Sequence, residues 1–216
     1  MLRYPKLYLL LSSLLFLSCS ISKYKSNTVP VSEKLSYNHL LPVINPGGSA
    51  TKYKATIDVL NKHFSGLVIV KRTDSITTHV VFITELGMKM FDLEKKDTAF
   101  NMVYVFEPMN KPNLVSVLKT NFKNMLLMDI YGKDINTGMT KKRETVYELI
   151  DHKEKRYFIV KDANQLVKQA NFFKQKKSSL VNYTYNAEIK SYEKIQSLQY
   201  GLVKVRIELN AVREAN

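Results

Sequence analysis

The sequence predicts a mainly β protein of the α+β class, an antiparallel sheet covered on one face by one or more helices. Three observations predict it. From Tyr53 onward apolar residues alternate with polar ones, as they do in strands that have one buried face. Between residues 111 and 128 the spacing changes to that of an amphipathic helix, and afterwards the alternation returns. With 216 residues, the chain is long enough for one domain with a sizeable core.

Five β segments precede the predicted helix. In the first of them Ala55, Ile57 and Val59 alternate with polar neighbours. The segments are joined by short turns and lie at residues 53–59, 65–73, 79–84, 88–94 and 99–107. Because short turns can join only antiparallel neighbours, we expect these strands to form a meander.

The helix is predicted near residues 111–128. Pro112 suits the first turn of a helix, where its missing N–H is not needed. Apolar residues then recur at helical spacing, at Leu114, Val117, Leu118, Phe122, Met125 and Leu126. This single stripe predicts that the helix lies against the sheet. Residues 132–142 are predicted to be a polar connection.

Strands return after that connection. Residues 144–150 and 157–160 form two of them, joined by the charged turn DHKEKR. Residues 163–177 fit a strand or a helix, and residues 183–191 and 195–199 are β-like. The last strand has the clearest pattern, with apolar residues at Val203, Val205, Ile207 and Leu209.

The first twenty residues have the organisation of a secretory signal peptide. Arg3 and Lys6 precede the uncharged run LYLLLSSLLFL, which is shorter than the roughly 20 residues that a spanning helix needs. The only cysteine, Cys19, follows Ser18 at the end of this run. The arrangement resembles the lipobox of bacterial lipoproteins, which implies that Cys19 is acylated and begins the mature chain. The alternative is an ordinary signal peptide cleaved after Ser20 or Ser22.

These patterns divide the chain into three parts. Residues 1–18 are expected to be the lipoprotein signal peptide, residues 19–52 the lipidated cysteine and a tether, and residues 53–216 a single β domain. In the lipoprotein resemblance, Ser20 in place of Asp implies delivery to the outer membrane. Lys23 and Lys25 stand where an acidic export signal would be, which favours the periplasmic face.

The order of these elements resembles the LolA/LolB family of bacterial lipoprotein carriers and receptors. The closest local likeness is the run from Phe64 to Glu94, with the pair Leu86-Gly87 where the family often has leucine and glycine. The chain lacks the tryptophans that are common in that family. The resemblance implies an open half-barrel, curved around an apolar cavity that is plugged by helices and holds acyl chains.

Apolar residues at a spacing of two are the candidates to line such a cavity. Methionine suits a surface that must accept disordered acyl chains, because it is flexible and polarizable. The candidates are Val68, Val70, Val81, Ile83, Met88, Met90, Phe100, Met102, Tyr104 and Phe106. The alternative is that the same side chains simply fill the core of a sheet.

The charge balance points to anionic partners. The chain has 33 Lys and Arg against 19 Asp and Glu, a formal net charge of +14. Basic clusters lie at residues 141–143 and at residues 174–177, the second preceded by Phe172 and Phe173. Export disfavours nucleic acid, so anionic lipid headgroups are the expected counterpart, at about 1 kcal/mol per basic residue near a membrane. A basic surface that serves solubility is the alternative.

Catalytic and metal-binding motifs do not appear in the sequence. The four histidines have no metal-ligand spacing, and no nucleophile elbow or glycine-rich phosphate loop is present. The sequence therefore predicts a non-enzymatic lipoprotein without a metal or cofactor. We expect it to bind acyl chains or acylated protein and to assist the localisation of outer-membrane lipoproteins. A scaffolding lipoprotein of an envelope complex and a hydrolase with a dispersed site are the alternatives.

Overall fold

Thirteen strands form one antiparallel sheet in the part of the chain that the structure describes. This computed structural model describes residues 28–36, 43–44, 50–130, 134–140, 144–161 and 165–212. The strands in chain order are β1 Thr28–Ser36, β2 Thr51–Val59, β3 Lys62–Arg72, β4 Thr77–Thr84, β5 Lys89–Lys96, β6 Ala99–Val105, β7 Asp134–Thr140, β8 Thr145–Asp151, β9 Glu154–Lys161, β10 Gln165–Phe173, β11 Lys176–Asn186, β12 Ser191–Gln199 and β13 Val205–Ala211. A 3-10 helix, Glu107–Met109, and the α-helix α1, Pro112–Met125, lie between β6 and β7.

The strands are arranged as two meanders joined through the last strand. The order across the sheet is β1-β7-β8-β9-β10-β11-β12-β13-β2-β3-β4-β5-β6. β13 pairs with β2, with Ile207 opposite Ile57, so the end of the chain completes the sheet next to its early hairpins. The sheet is curved and unclosed, and β1 and β6 stand at its two ends. The prediction of a mainly β fold, an antiparallel open half-barrel covered by a helix, is confirmed.

Two strands lie where the sequence predicted none. β1 falls within the expected tether, residues 19–52, and β7 falls within the expected polar connection, residues 132–142. The two strands pair with each other, and Pro30 stands opposite Gly138. Proline and glycine are both depleted in strands, so local preference argued against this pair. Because β1 is an edge strand, a proline costs little there: one side of the strand has no neighbouring strand to hydrogen-bond.

Three other boundaries also differ from the predictions. The ambiguous residues 163–177 contain β10, which hydrogen-bonds to β9 and β11 on its two sides. The predicted strand 183–191 crosses the turn between β11 and β12, at residues 187–190. The charged turn DHKEKR reduces to residues 152–153, because β9 already begins at Glu154.

Helix α1 is confirmed close to its predicted bounds. Its N-cap residue Lys111 is extended and Pro112 takes the first helical position. The stripe that faces the sheet is buried at Leu114, Leu118, Phe122 and Met125. The helix packs against β6 and β12. Among the described residues, no helix combines the length and the apolar character that crossing a bilayer would require.

The apolar core fills the space between α1 and the inner face of the sheet, with residues from β2 to β5 and from β8 to β13. The ring centroids of Phe82 and Phe91 are 5.5 Å apart, and those of Phe91 and Phe122 are 5.2 Å apart. At Gly66 the strands approach so closely that a Cβ atom would clash with the carbonyl oxygen of Ile83. Only glycine fits at this close approach of the paired strands β3 and β4.

Candidate functional site

A cavity of about 1570 Å³ lies beside the face of α1 that carries Val115, Lys119 and Lys123. The turns β3–β4, β5–β6 and β8–β9 and the segment that follows α1 form its other walls. Its apolar lining includes Val43, Ile44, Phe100, Val115, Leu127 and Phe173. Its basic lining includes Arg72, Lys95, Lys119, Lys123, Lys153 and Arg156. The cavity is therefore amphipathic and can surround a molecule that has an apolar and a polar part.

The helical repeat of α1 separates this cavity from the core. Leu118 and Phe122 point into the core, whereas Val115, Lys119 and Lys123 line the cavity at intervals of four residues. Residues four apart lie on the same face of a helix. One helix thus seals the core with one face and offers an apolar residue and two lysines to the cavity with the other.

A buried ion pair forms part of the cavity wall. The Arg156 guanidinium is 3 % exposed and donates to both Asp129 oxygens, at 2.8 and 2.6 Å. It also donates to Glu154 Oε2 at 3.2 Å, and Lys123 Nζ lies 3.4 Å from Asp129 Oδ2. Burial alone would raise the pKa of Asp129, but the hydrogen bonds and charge of Arg156 bring that pKa below its ordinary value. Two-point contact fixes the planar guanidinium against the wall.

A smaller cavity of about 290 Å³ adjoins the main one. The two cavities share Thr120, Glu154, Arg156 and Phe173 as lining residues. Its other lining residues are Phe172 and five polar or hydroxyl-bearing residues, Asn124, Asn171, Ser178, Gln199 and Tyr200. Among the described residues, no group donates a hydrogen bond to the buried oxygens Asn124 Oδ1 and Gln199 Oε1. The small cavity is called the polar annex below, and these two oxygens are sealed within its wall, each exposing less than 1 Å².

Buried polar side chains continue from this annex along the inner face of β10 to β12. Gln169 Nε2 donates to Asn171 Oδ1 at 2.9 Å, and Asn171 Nδ2 donates to Ser179 Oγ at 2.7 Å. The Tyr183 hydroxyl lies 3.0 Å from Gln169 Oε1 and 3.0 Å from the carbonyl oxygen of Met125 at the end of α1. This chain of hydrogen bonds connects the helix end to the sheet without exposing its members.

Asn121 makes the second polar link between helix and sheet. Its Nδ2 donates to the carbonyl oxygen of Val117 at 2.9 Å, and its Oδ1 accepts from Ser197 Oγ at 2.8 Å. Both polar ends of Asn121 are therefore satisfied, in contrast to Asn124 one turn later on the same helix.

Most of the sequence-predicted cavity residues lie in or against the packed core. Val68, Val70 and Met90 are fully buried in it, and Met102 and Phe106 pack against it. Phe100 packs against the core and also lines the main cavity, and it is the one member of the predicted set that does so. For Val68, Val70, Met90, Met102 and Phe106 the structure therefore agrees with the alternative, that these side chains fill a core.

Four of the predicted residues lie elsewhere. On β4, Val80 and Phe82 face the core, which puts Val81 and Ile83 on the opposite face. Every residue from 80 to 83 is apolar, so the sequence alone could not choose the inner face. Met88 precedes β5 and is 45 % exposed.

Tyr104 is displaced by an irregularity in the strand. The β5–β6 register shifts between Asp92 and Leu93, so that Asp92 pairs with Tyr104 and Leu93 with Met102. The extra residue reverses the alternation, and Val105 packs against the core where Tyr104 was expected. Tyr104 is exposed instead, and Lys89 Nζ lies 4.8 Å from the centre of its ring.

The residues that form the polar annex were missed by sequence reasoning. Arg156 was assigned to a charged turn, although it has the same spacing of two as Phe158 and Val160, which are buried on β9. That spacing was the available signal for an inward-facing arginine. Asn121 and Asn124 adjoin the apolar stripe of α1 and carried a similar signal.

Several other predicted features also need to be placed. Cys19 and the basic cluster 141–143 lie outside the described residues. In the second basic cluster, Lys177 Nζ lies 5.3 Å from the ring centre of Tyr200, beside the polar annex. Over the described ranges, no three His, Cys, Asp or Glu side chains are grouped so as to hold a metal ion.

Comparison with known proteins gives a likeness of fold. No family model matches the sequence, and no curated protein matches it. A solved domain named for outer membrane lipoprotein sorting, from Vibrio parahaemolyticus, superimposes with a TM-score of 0.50 at 9 % identity over 78 % of this chain and 86 % of that one. A LolA superfamily protein from Nitrosomonas europaea gives 0.49 at 11 % identity, over 81 % and 90 % of the two chains. The resemblance to the lipoprotein carriers is confirmed at the level of the fold.

Proposed function

We propose that this protein is a membrane-anchored lipoprotein of the bacterial cell envelope that binds acyl chains or acylated protein. In this role it assists the localisation of outer-membrane lipoproteins and catalyses no reaction. The observation that carries the proposal is the amphipathic cavity between α1 and the strand turns. The likeness of its fold to a domain named for lipoprotein sorting supports the same function.

The cavity lining suits an acylated molecule. Each methylene that leaves water for an apolar surface contributes roughly 0.8 kcal/mol, so contact with side chains such as Phe100, Val115 and Leu127 favours an acyl chain. Lys119 on the same helix face lies beside that surface and complements an acidic group of a cargo or of a lipid, whereas Lys123 is paired with Asp129. Transfer to a membrane needs only a cavity whose affinity lies between those of the donor and the bilayer.

Exposed apolar turns at one end of the strands are consistent with contact to a bilayer. Leu60 is in the β2–β3 turn, Leu86 in the β4–β5 turn and Leu202 in the β12–β13 loop, and all three are exposed. Val59 pairs with Val205, so the β2–β3 turn and the β12–β13 loop are neighbours. The β4–β5 turn lies at the same end of the strands, because the last residue of β4, Thr84, pairs with Gly66 near the start of β3. Apolar tips of this kind enter the interface between water and lipid.

The proposed anchor is an acylated Cys19 that holds the protein on the periplasmic face of the outer membrane. Two or more acyl chains anchor a protein far more stably than one. Changing Cys19→Ala is expected to release the protein from the membrane fraction. If the variant stays bound after a carbonate wash, the anchor is a different feature.

Binding of a fluorescent fatty acid tests the proposed cavity. We expect the wild-type chain to bind the probe and Val115→Asp to weaken binding by about tenfold, because the change puts a charge on the apolar lining. Val103→Asp is the matched control: Val103 is mostly exposed on β6 and does not line the cavity. Thermal melts of both variants establish that they fold.

Two outcomes would count against the cavity as the binding site. Equal loss of binding in the Val115→Asp and Val103→Asp variants would indicate a general effect on the sheet. Absence of probe binding in the wild type would favour the scaffolding function instead.

A further inference from the structure

We propose that the rim of the main cavity carries a binding site for the phosphate group of a lipid, formed by Arg72 and Lys95. Arg72 is the last residue of β3, Lys95 lies near the end of β5, and both line the cavity. The site rests on the proposed function in one respect, because the acyl chains of the lipid would contact the apolar lining of the same cavity. It adds to that function a headgroup and the two residues that select it.

The strand register brings the two basic residues into one row across the sheet. Arg72 pairs with Thr78 on β4, and Thr78 pairs in turn with Lys95 on β5. Lys95 then pairs with Phe100 on β6, and all four residues line the main cavity. Neighbouring strands lie about 4.8 Å apart, so the backbones at Arg72 and Lys95 are about 10 Å apart. Two long side chains at this separation can reach one small group that lies between them.

The row belongs to the inner face of the sheet, although two of its members are basic. Val70 is completely buried on β3, and Arg72 follows it at the spacing of two that keeps a side chain on the same face. Leu93 is likewise buried on β5 and is followed by Lys95. The apolar inner face of β3 and β5 thus ends in two cations where the strands reach the cavity.

The charges of these two residues are not compensated within the described part of the chain. There, neither Arg72 nor Lys95 forms an ion pair, and Asp97, an acidic lining residue in the turn that follows β5, pairs with neither. Arg156 in the wall of the same cavity is different, because Asp129 holds it in a two-point contact. A concave rim with two uncompensated charges of one sign attracts a ligand of the opposite sign.

The chemistry of the two cations favours phosphate over carboxylate. A guanidinium offers two parallel N–H donors that match two phosphate oxygens, and an ammonium group binds phosphate as a point charge. A phosphate monoester carries about 1.5 to 2 negative charges at pH 7, enough for both residues. A fatty-acid carboxylate has a single charge, which Arg72 alone would satisfy. Phe100, next to Lys95 in the row, leads from the charged positions to the apolar lining that suits acyl chains.

Two lipids that differ only in the phosphate test the site. Calorimetric titration of the full chain carrying Cys19→Ala gives the Kd of dihexanoyl phosphatidic acid and that of dihexanoylglycerol. The quantity compared between variants is the ratio of the second Kd to the first. We expect Arg72→Gln and Lys95→Gln each to lower this ratio by about tenfold, the equivalent of one hydrogen bond to a charged group. Raising the salt concentration should lower the ratio of the unchanged site as well.

The chain supplies a matched control for each substitution. Lys71 and Lys96 are the strand neighbours of Arg72 and Lys95, but alternation puts them on the outer face, and they do not line the cavity. Lys71→Gln and Lys96→Gln remove the same charge and should leave the ratio unchanged. Val115→Ala on the apolar lining should weaken both lipids and keep the ratio. Thermal melts establish that every variant folds.

The outcomes separate this site from the proposed function. If both lipids bind and the ratio is the same in the wild type, Arg72→Gln and Lys95→Gln, the phosphate site is refuted while acyl binding stands. An equal fall of the ratio in the Lys71→Gln and Lys96→Gln variants would also refute it, since overall charge would then be the cause.

Two further ligands establish the chemistry of the bound group. If Arg72→Gln weakens palmitate as much as phosphatidic acid, the rim accepts any lipid anion and the assignment to phosphate is wrong. Inorganic phosphate that binds as tightly as phosphatidic acid would show that the ligand is the ion alone and not a lipid. If neither of the two lipids nor palmitate binds, the proposed function itself fails.

Discussion

The inner face of the sheet has two halves of opposite character. From β2 to β5 it is mainly apolar: Val68, Val70, Val80, Phe82 and Phe91 are completely buried there, and the buried polar residues of this half are the threonines at 77 and 78 on β4. From β9 to β12 it also carries buried polar groups, which are Arg156, Gln169, Asn171, Ser179 and Ser197. Burial is equally deep in the two halves, but only the polar half borders the annex. The comparison teaches that the first half is held mainly by apolar packing, whereas the second half adds buried hydrogen bonds and a buried ion pair to that packing.

Helix α1 joins the two halves. It packs against β6 at one end of the apolar half and against β12 in the polar half. Phe122 meets Phe91 on the apolar side, whereas Asn121 bonds to Ser197 on the polar side. A substitution in either half therefore alters the packing of the same helix, whose other face lines the main cavity.

The largest expected effect is in the apolar half, at Met90. Met90 is 1 % exposed, so Met90→Asp would bury a carboxylate without a partner at a cost of several kcal/mol. That cost is comparable to the whole stability of a typical domain, and we expect the variant to be unfolded in circular dichroism and thermal melts. Met88→Asp is the control, because Met88 is largely exposed and its change should alter stability by less than about 0.5 kcal/mol.

A Met90→Asp protein that folds but has lost fatty-acid binding would contradict the assignment of Met90 to a packed core. It would mean that water reaches Met90 and that the apolar half is an open cavity, as first predicted from the sequence.

A smaller effect is expected in the polar half, at Asp129. Asp129→Asn removes the charge that compensates Arg156 and should lower the free energy of unfolding by about 3 kcal/mol, measured by urea denaturation. The double variant Asp129→Asn with Arg156→Met should recover part of the loss, because it no longer buries a guanidinium that has lost its two-point carboxylate partner and keeps only Glu154. A loss in the double variant equal to the sum of the single losses would show that the pair does not act as a unit.

The smallest effect is the pH dependence that the same pair produces. The pKa of Asp129 is lower in the folded protein than its ordinary value, which is about 3.9 in an unfolded chain. Its contribution to stability is therefore complete above pH 4 and is lost as the pH falls through the folded pKa. Between pH 5 and pH 2, the unfolding free energy of Asp129→Asn should fall less steeply than that of the wild type. Parallel curves for the two proteins would contradict this role of Asp129.

The sequence by itself determined the class of the fold and the order of most elements. Alternation with a period of two marked β2 to β6 and β13, and the helical spacing of the stripe from Leu114 to Met125 marked α1. These signals are local, because a half-buried strand or helix must repeat its apolar residues at its own period. The resemblance to lipoprotein carriers depended on the same order of elements and was confirmed as a likeness of fold.

Only the tertiary structure decided which residues meet and which face of a strand is inside. Val81 and Ile83 were misplaced because both faces of β4 are apolar, and Tyr104 because one extra residue in β6 reverses the alternation. The annex joins residues that are far apart in the chain, such as Asn124 and Gln199. Such meetings depend on the curvature of the whole sheet and on the docking of α1. The spacing of apolar residues within one strand or helix carries no information about such contacts, because that spacing is the same whichever element packs against it.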